Sequence, residues 1–222
     1  MCTQACLEFV RDNLRPDEVT GRAVLEVGSL DVNGSVRPIV SAFYPASYVG
    51  VDLQEGRGVD EVCDATELVL RFGQNSFDVV ISTEMLEHVR DWRTVVSQLK
   101  RVLKPGGLLL VTTRSRGFPY HGFPFDFWRY EPGDVEALFA DFQIERIETD
   151  KTLPGVLFKA RKPPQFVENE MSRHALYSVI LNDRVSDVSD AELAKFYRRR
   201  ERRRLLQAPE RAIRRLRKAI WR

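Results

Sequence analysis

Apolar residues fall into short, nearly continuous runs separated by polar stretches with helical spacing, from about residue 23 to residue 161. "RAVLEVG", "SYVGVDL", "FDVVIST" and "GGLLLVTT" have the length and β-branched content of strands buried on both faces, with "DEVCDA" a weaker one. "RDWRTVVSQLKRVL" sets Trp92, Val95, Val96, Leu99, Val102 and Leu103 at helical spacing, and the turn "LKPGG" announces the next strand. "EPGDVEALFADF" opens on turn chemistry and a proline and then shows another helical stripe. "FQIERIETD" and "PGVLFKARKP" interleave polar residues and stand close together after one helix, which predicts a closing antiparallel hairpin at the sheet edge. Continuous apolar strands alternating with helices predict an α/β fold, a largely parallel sheet with helices on both faces.

After "RKPPQF" (161–166) the pattern changes. "ENEMSRHALYSVILNDR" and "SDAELAKFYRRRERRRLLQ" read as helices, and "PERAIRRLRKAIW" as a third with Pro209 at its start; no strand is expected there. The division this suggests is 1–163 for the sheet domain and 164–222 for a helical C-terminal extension with a basic tail, the boundary near Pro163-Pro164.

The composition is that of a soluble globular protein, 43% hydrophobic and 30% charged, with no run long enough for a membrane helix and no basic, apolar secretory start. Cys2, Cys6 and Cys63 lack metal-ligand spacing, so reduced thiols and a cytoplasmic location are expected; no other cluster has such spacing either, so no metal is expected, a loosely held Mg²⁺ on the acids being the alternative. The net charge of +2 conceals an asymmetry: residues 191–222 hold 13 Lys/Arg against three Asp/Glu, a net of +10, which leaves the rest of the chain at −8.

In an open parallel sheet, ligands sit beyond the carboxyl ends of the strands. Those ends carry Glu26, Gly28 and Ser29, then Asp52 and Leu53, Asp64 and Ala65, Thr83 and Glu84, and Thr112 and Thr113. An acceptor-only carboxylate at the second strand suits both hydroxyls of a ribose, and one at the third suits an adenine amino group. The sequence resembles the class I S-adenosylmethionine-dependent methyltransferases (methyltransferase type 11-like) over about residues 20–160. The resemblance rests on "VLEVGS", "YVGVDLQEG", "CDATEL", "FDVVISTEMLEHVRDW" and "LKRVLKPGGLLLVTT" in that order. It implies a Rossmann-like, doubly wound, seven-stranded sheet with a reversed last hairpin, and S-adenosyl-L-methionine as cofactor. Carried onto this chain, Glu26 and Gly28 cradle the methionine part, Asp52 binds ribose, and Asp64 with Ala65 reads adenine. The first loop, "GSLDVNG", lacks the middle glycine and is about two residues long for the pattern; Gly28 still permits close approach, and Asn33-Gly34 suits a tight turn. A nicotinamide-binding reading fails because that loop does not spell G-x-G-x-x-G.

Methyl transfer from a sulfonium needs an aligned acceptor and, for an alcohol, a base. His88 in "TEMLEHV" and His121 in "RSRGFPYHGFPFDFWRY" are the candidate bases, with Asp126 and Glu84 as acid alternatives. The second segment, 114–130, sets Phe118, Tyr120, Phe123, Phe125, Phe127, Trp128 and Tyr130 among prolines and reads as a lid or wall, or else as a loop packed into the core. Tyr120, Asp126, Trp128 and Arg129 are expected to bind the acceptor, stacking and hydrogen-bonding as a sugar hydroxyl or lipid-linked sugar would require. "HGFPFDFWRY" is similar to a segment of family members from glycan and natural-product biosynthesis. His174 is expected on the surface of a C-terminal helix. Residues 195–222, with Ile213, Leu216, Ile220 and Trp221 amid arginines, suit peripheral contact with an anionic inner-membrane surface, nucleic acid, or packing on the domain or in a homodimer. The functions expected are thus O-methylation of a small polar acceptor, a non-catalytic methyltransferase-like binding module, or nucleic-acid methylation using the basic tail.

Overall fold

The computed structural model describes residues 3–122 and 125–220, with side chains as far as Leu206. The strands are β1 (Ala23–Val27), β2 (Ser47–Asp52), β3 (Glu61–Val62), β4 (Phe77–Thr83), β5 (Leu103–Arg114), β6 (Trp128–Arg129), β7 (Gln143–Thr149), β8 (Gly155–Arg161), β9 (Leu176–Ser178) and β10 (Asp183–Val185). The helices are α1 (Gln4–Asn13), α2 (Pro16–Val19), α3 (Arg37–Ser41), α4 (Leu68–Phe72), α5 (Trp92–Val102), α6 (Pro132–Leu138) and α7 (Asp190–Ile220).

Seven strands form one sheet in the order β3-β2-β1-β4-β5-β8-β7. The first five run parallel, whereas β8 pairs antiparallel with both β5 and β7. The expected reversed hairpin is therefore present, with β8 placed inside the sheet and β7 at its edge. "LKPGG" loops out of register between the pairs Phe77–Leu103 and Val79–Leu108, so the turn interrupts β5 rather than preceding it.

Strand alternation divides the core into two layers. Leu25, Val27, Val80, Leu109 and Val111 face α4, α5 and α6, while Val24, Val79, Ile81, Leu108 and Leu110 face α1 and α3. The amphipathic helix α5 follows from its apolar spacing, and Asp91 caps it by accepting from the Thr94 amide at 3.2 Å. Glu26 shares the parity of Val24 and so points into the layer beneath α3.

The C-terminal part departs from the sequence reading. Residues 176–185 form a hairpin rather than a helix, and β9 joins β6 and β10 in a second, three-stranded antiparallel sheet. Leu176 and Ile180 sit four apart and mimic a helical stripe, but Asn182 adopts φ 58° and the Ser178 hydroxyl accepts from the Ile180 and Leu181 amides, closing a turn. The expected break at Pro209 is absent; α7 runs on as a single helix to Ile220. Met171, Leu176, Ile180 and Val188 lie in the same core cluster as the sheet domain, with Phe166, Leu193 and Phe196 against it. The boundary near Pro163-Pro164 thus separates the large sheet from the C-terminal segments, but not one core from another. Lys100 fixes this junction from inside: its fully buried ammonium donates to Asp141, the Leu138 carbonyl and Asn169.

Candidate active site

The sheet reverses its order between β1 and β4, and a cavity of about 500 Å³ opens above the carboxyl ends at that point. Gly28, Asp52, Asp64 and Glu84, each following a different strand, stand on its wall, together with Leu53 and Ala65. Gly28 has φ +83°, and a Cβ there would lie 2.7 Å from Met85 Cβ, so only glycine keeps the backbone at this edge of the cavity. Asp52 Oδ2 accepts from the Leu30 amide at 3.2 Å, which ties the first loop to β2 while the carboxylate keeps its place on the wall. Asp64 Oδ1 caps the turn at 65–67 by accepting from the Thr66 amide and hydroxyl, both at 2.8 Å. A carboxylate has about four lone-pair sites, so each acid retains acceptor capacity for a ligand. An apolar crevice with acceptors at β2 and β3, over a backbone that a Cβ would obstruct, fits an adenosyl group.

Four sequence-predicted cofactor residues are not on this wall: Glu26, Ser29, Gly34 and Thr83. Glu26 is buried on the other face, where Oε2 accepts from Tyr48 Oη at 2.6 Å; burial above all pushes its pKa up to about 7. Ser29 and Thr83 are buried. The loop closes differently from expectation: Gly34 alone of the Asn33-Gly34 pair has positive φ, and its amide donates to Asp31 Oδ1 at 2.9 Å.

A dense polar cluster lies at the ends of β4 and β5. Glu84 sits in the left-handed region at φ 55°, ion-paired with Arg114 and accepting from Thr112 Oγ1 at 3.0 Å. Burial, with Glu87 nearby, raises its pKa well above the carboxylate range. Glu87 is sealed from solvent, and Thr113 Oγ1 donates to its Oε2 at 3.0 Å. Burial opposes its ionisation, yet His121 and His88 hold its pKa at about 2. The two candidate bases come together here, their rings 4.7 Å apart between centroids. His88 lines the cavity, and its Nδ1 meets the Phe125 carbonyl at 2.5 Å. His121 Nδ1 meets Asp126 Oδ2 at 2.9 Å. Burial disfavours a charged His121 ring, but Asp126 and Glu87 outweigh it and push the pKa up to about 9.

The acceptor-binding expectation needs correction at three residues. Asp126, Trp128 and Arg129 are fully buried. Arg129 donates to both oxygens of Asp126 and to the carbonyls of Phe118 and Pro119, and Trp128 Nε1 donates to the Arg90 carbonyl at 3.1 Å. A guanidinium surrounded by acceptors is holding a loop, not awaiting a ligand. Tyr120 is half-buried, with Oη 3.1 Å from Tyr197 Oη and its ring beside Phe196. Of the aromatic segment, Phe125 and Phe127 reach the cavity wall; Phe123 lies outside the described residues, as do Cys2 and Trp221. His174 lies in a turn, not on a helix, with Nε2 3.1 Å from Asp134 Oδ1. Sequence reasoning missed Glu87, hidden between two candidates in "TEMLEHV", and Leu193, a cavity-wall residue contributed by α7.

Comparison with known proteins bears on this geometry. Residues 25–111 match the model of a methyltransferase domain. A ubiquinone biosynthesis O-methyltransferase of Idiomarina loihiensis is 35% identical over 113 residues, 45% of each chain. Phosphoethanolamine N-methyltransferase 2 of Caenorhabditis elegans is 28% identical over 44% of this chain and 25% of that one. The chain thus spans less than half the length of these two relatives. Among solved structures, an S-adenosylmethionine-dependent methyltransferase of Mesorhizobium loti superposes with a TM-score of 0.56 at 19% identity, covering 71% of this chain and 98% of that one. The 1,6-didemethyltoxoflavin-N1-methyltransferase of Burkholderia thailandensis, with its substrate and S-adenosylhomocysteine bound, gives 0.57 at 17% identity, covering 72% and 79%. At these identities the superpositions show the fold.

Proposed function

We propose that this chain, which carries a methyltransferase domain of the class I fold, is an S-adenosylmethionine-dependent O-methyltransferase acting on a small molecule. The observation that carries the reading is the cavity at the switch point, where Gly28, Asp52 and Asp64 come from three successive strand ends onto one apolar wall. When bound, the cofactor supplies a methyl group on a positively charged sulfur. Asp52 accepts the ribose hydroxyls, Asp64 the adenine amino group, and the bare backbone at Gly28 lets the methionine part approach. Glu26 acts at one remove, holding Tyr48 beneath the first loop rather than touching the ligand.

His88, on the cavity wall with Glu87 and His121 beside it, marks the acceptor end. His88 is the group on that wall placed to take a proton, which favours an oxygen acceptor, as do the relatives named as O-methyltransferases. The wall is mostly apolar and contains Phe125, Phe127 and Leu193, which suits an acceptor with an apolar body. A sugar acceptor, expected from stacking at 114–130, has less support, because Trp128 and Tyr130 are enclosed in the core. The basic stretch 195–222 we read as peripheral membrane contact; Arg198–Arg204 lie on the exposed part of α7, and Leu205 and Leu206 are exposed beside them.

Titration calorimetry of the full chain with S-adenosylhomocysteine tests the reading. Binding should be clear for the natural chain and lost in Asp52→Ala. Equal heats from both would show that the adenosyl group is not held at this wall. Binding without transfer to any phenolic or sugar hydroxyl would favour the non-catalytic module.

A further inference from the structure

We propose that Glu87, His88 and His121 form a binding site for a divalent transition-metal ion at the acceptor end of the cavity. The candidate ligand atoms lie within 4.8 Å of one another. Glu87 Oε1 is fully buried and has no hydrogen-bond partner, while Oε2 is satisfied by Thr113. An unsatisfied buried carboxylate oxygen costs on the order of 1–3 kcal/mol or more, so its orientation calls for a cation. It faces His121 Nε2 at 3.6 Å and His88 Nε2 at 3.9 Å.

The outer partners fix which ring nitrogens are turned inward. A carbonyl only accepts, so His88 carries a hydrogen on Nδ1 toward Phe125. Asp126, paired with Arg129, is likewise an acceptor, so His121 carries its hydrogen on Nδ1 toward that carboxylate. When neutral, each ring presents its Nε2 lone pair to Glu87 Oε1, so a metal ion would take the place of the proton that the two carboxylates favour on His121, and three donor atoms converge on one point. A proton on either Nε2 satisfies this poorly, because 3.6 and 3.9 Å exceed hydrogen-bond reach. Ligands at about 2.1 Å from a tetrahedral ion stand roughly 3.4 Å apart, so the two Glu87–histidine pairs need to close by about half an ångström or less, and the histidine pair, within 4.8 Å, by at most about 1.4 Å. Two imidazoles and one carboxylate, each ring held from behind by a carbonyl or carboxylate, are a donor set suited to zinc or iron(II), with positions left open for an oxygen ligand. His88 stands on the cavity wall, so that open side borders the space assigned to the acceptor. In spacing along the sequence the three residues show no metal motif; the fold alone brings residue 121 onto residues 87 and 88.

The ion site stands on its own geometry, whereas its role, drawing an acceptor hydroxyl into register with the methyl donor, rests on the methyltransferase reading. The test uses the full chain, stripped with a chelator and returned to clean buffer, titrated with Zn²⁺. One equivalent should bind, and Co²⁺ should give visible ligand-field bands. Glu87→Gln and His121→Ala should each weaken Zn²⁺ at least a hundredfold, and Asp126→Asn, which releases the ring from behind, roughly ten- to a hundredfold. His174→Ala should bind like the natural chain. If a ligand variant does not fold, nitrogen NMR of the three histidines in the natural chain keeps the test open: Zn²⁺ should shift two Nε2 resonances and leave His174 in place. No uptake of Zn²⁺, or uptake that leaves His88 and His121 unshifted, overturns the proposal. S-adenosylhomocysteine binding is measured separately, so a failed ion site and a failed cofactor site give different results.

Discussion

Replacing Glu26 by Gln should change how stability depends on pH. The Glu26 carboxyl is buried with Tyr48 donating to it, and burial raises its pKa from 4.5 to about 7. Arg37 counteracts that shift, while Asp31 and Asp60 add to it. With the folded pKa above the unfolded one, the folded chain holds more protons between these values. This contribution to stability is complete below pH 4.5 and is lost as pH rises through about 7. Each unit corresponds to about 1.4 kcal/mol, so the raised pKa implies a loss of about 3 kcal/mol across the window. Glutamine keeps an oxygen for the Tyr48 hydroxyl and cannot ionise. Any cost of seating its amide is the same at every pH. The stability difference between variant and natural chain should therefore shift toward the variant by about 3 kcal/mol between pH 4.5 and 8.5. Urea unfolding at half-unit pH intervals measures it, and every other titrating group cancels in the difference. A difference that stays flat across this range would show that Glu26 is ionised throughout, and the account of its burial would be wrong.

Asp141→Ala should destabilise the fold by roughly 3–5 kcal/mol, because it leaves the buried Lys100 ammonium without its counter-charge; urea unfolding of the variant against Lys100→Met with Asp141→Ala, which removes both charges, should recover part of the loss. Removing residues 207–222 should weaken sedimentation with anionic vesicles and flatten its salt dependence, since six Lys/Arg are lost, while S-adenosylhomocysteine affinity is unchanged. The cut is placed there because Leu193 lines the cavity and Phe196 and Tyr197 pack on Tyr120, so a deletion from residue 191 would confound membrane contact with a broken wall.

The large sheet was legible because its strands are buried on both faces, so local sequence and tertiary environment agree. The cavity wall was legible at Asp52 and Asp64 for a related reason: a strand end fixes where a side chain stands. Glu26 shows the limit of that logic. It is one residue from a strand end, and the two-residue alternation turns it to the opposite layer from Leu25 and Val27. The hairpin at 176–185 was misread because Leu176 and Ile180 satisfy helical spacing, while their conformation is decided by pairing with β6, some fifty residues earlier. At 114–130 the content in aromatic, Asp and Arg residues was seen but not its use. Asp126 and Arg129 satisfy each other, a pairing that composition cannot distinguish from two groups awaiting a ligand.

These outcomes divide the molecule by function. The part matched to the methyltransferase domain, 25–111, supplies nearly all of the cavity wall. The wall is completed by segments beyond it, Phe125 and Phe127 from the aromatic loop and Leu193 from the first turn of α7, with His121 stacked beside His88. That turn is held in place by Arg90, next after the "LEHV" stretch, donating to the Val188 carbonyl at 2.8 Å and to Asp190 at 2.5 Å. The loop is held by the second sheet, through the pairing of Trp128 with Ser178. One fold can serve many substrates when the segments that close its site vary around a common scaffold. We therefore seek the acceptor's identity in residues 112–196 together with Glu87 and His88 of the matched domain. The feature that most constrains its chemistry is the convergence of His121, from beyond the matched domain, on Glu87 and His88 within it.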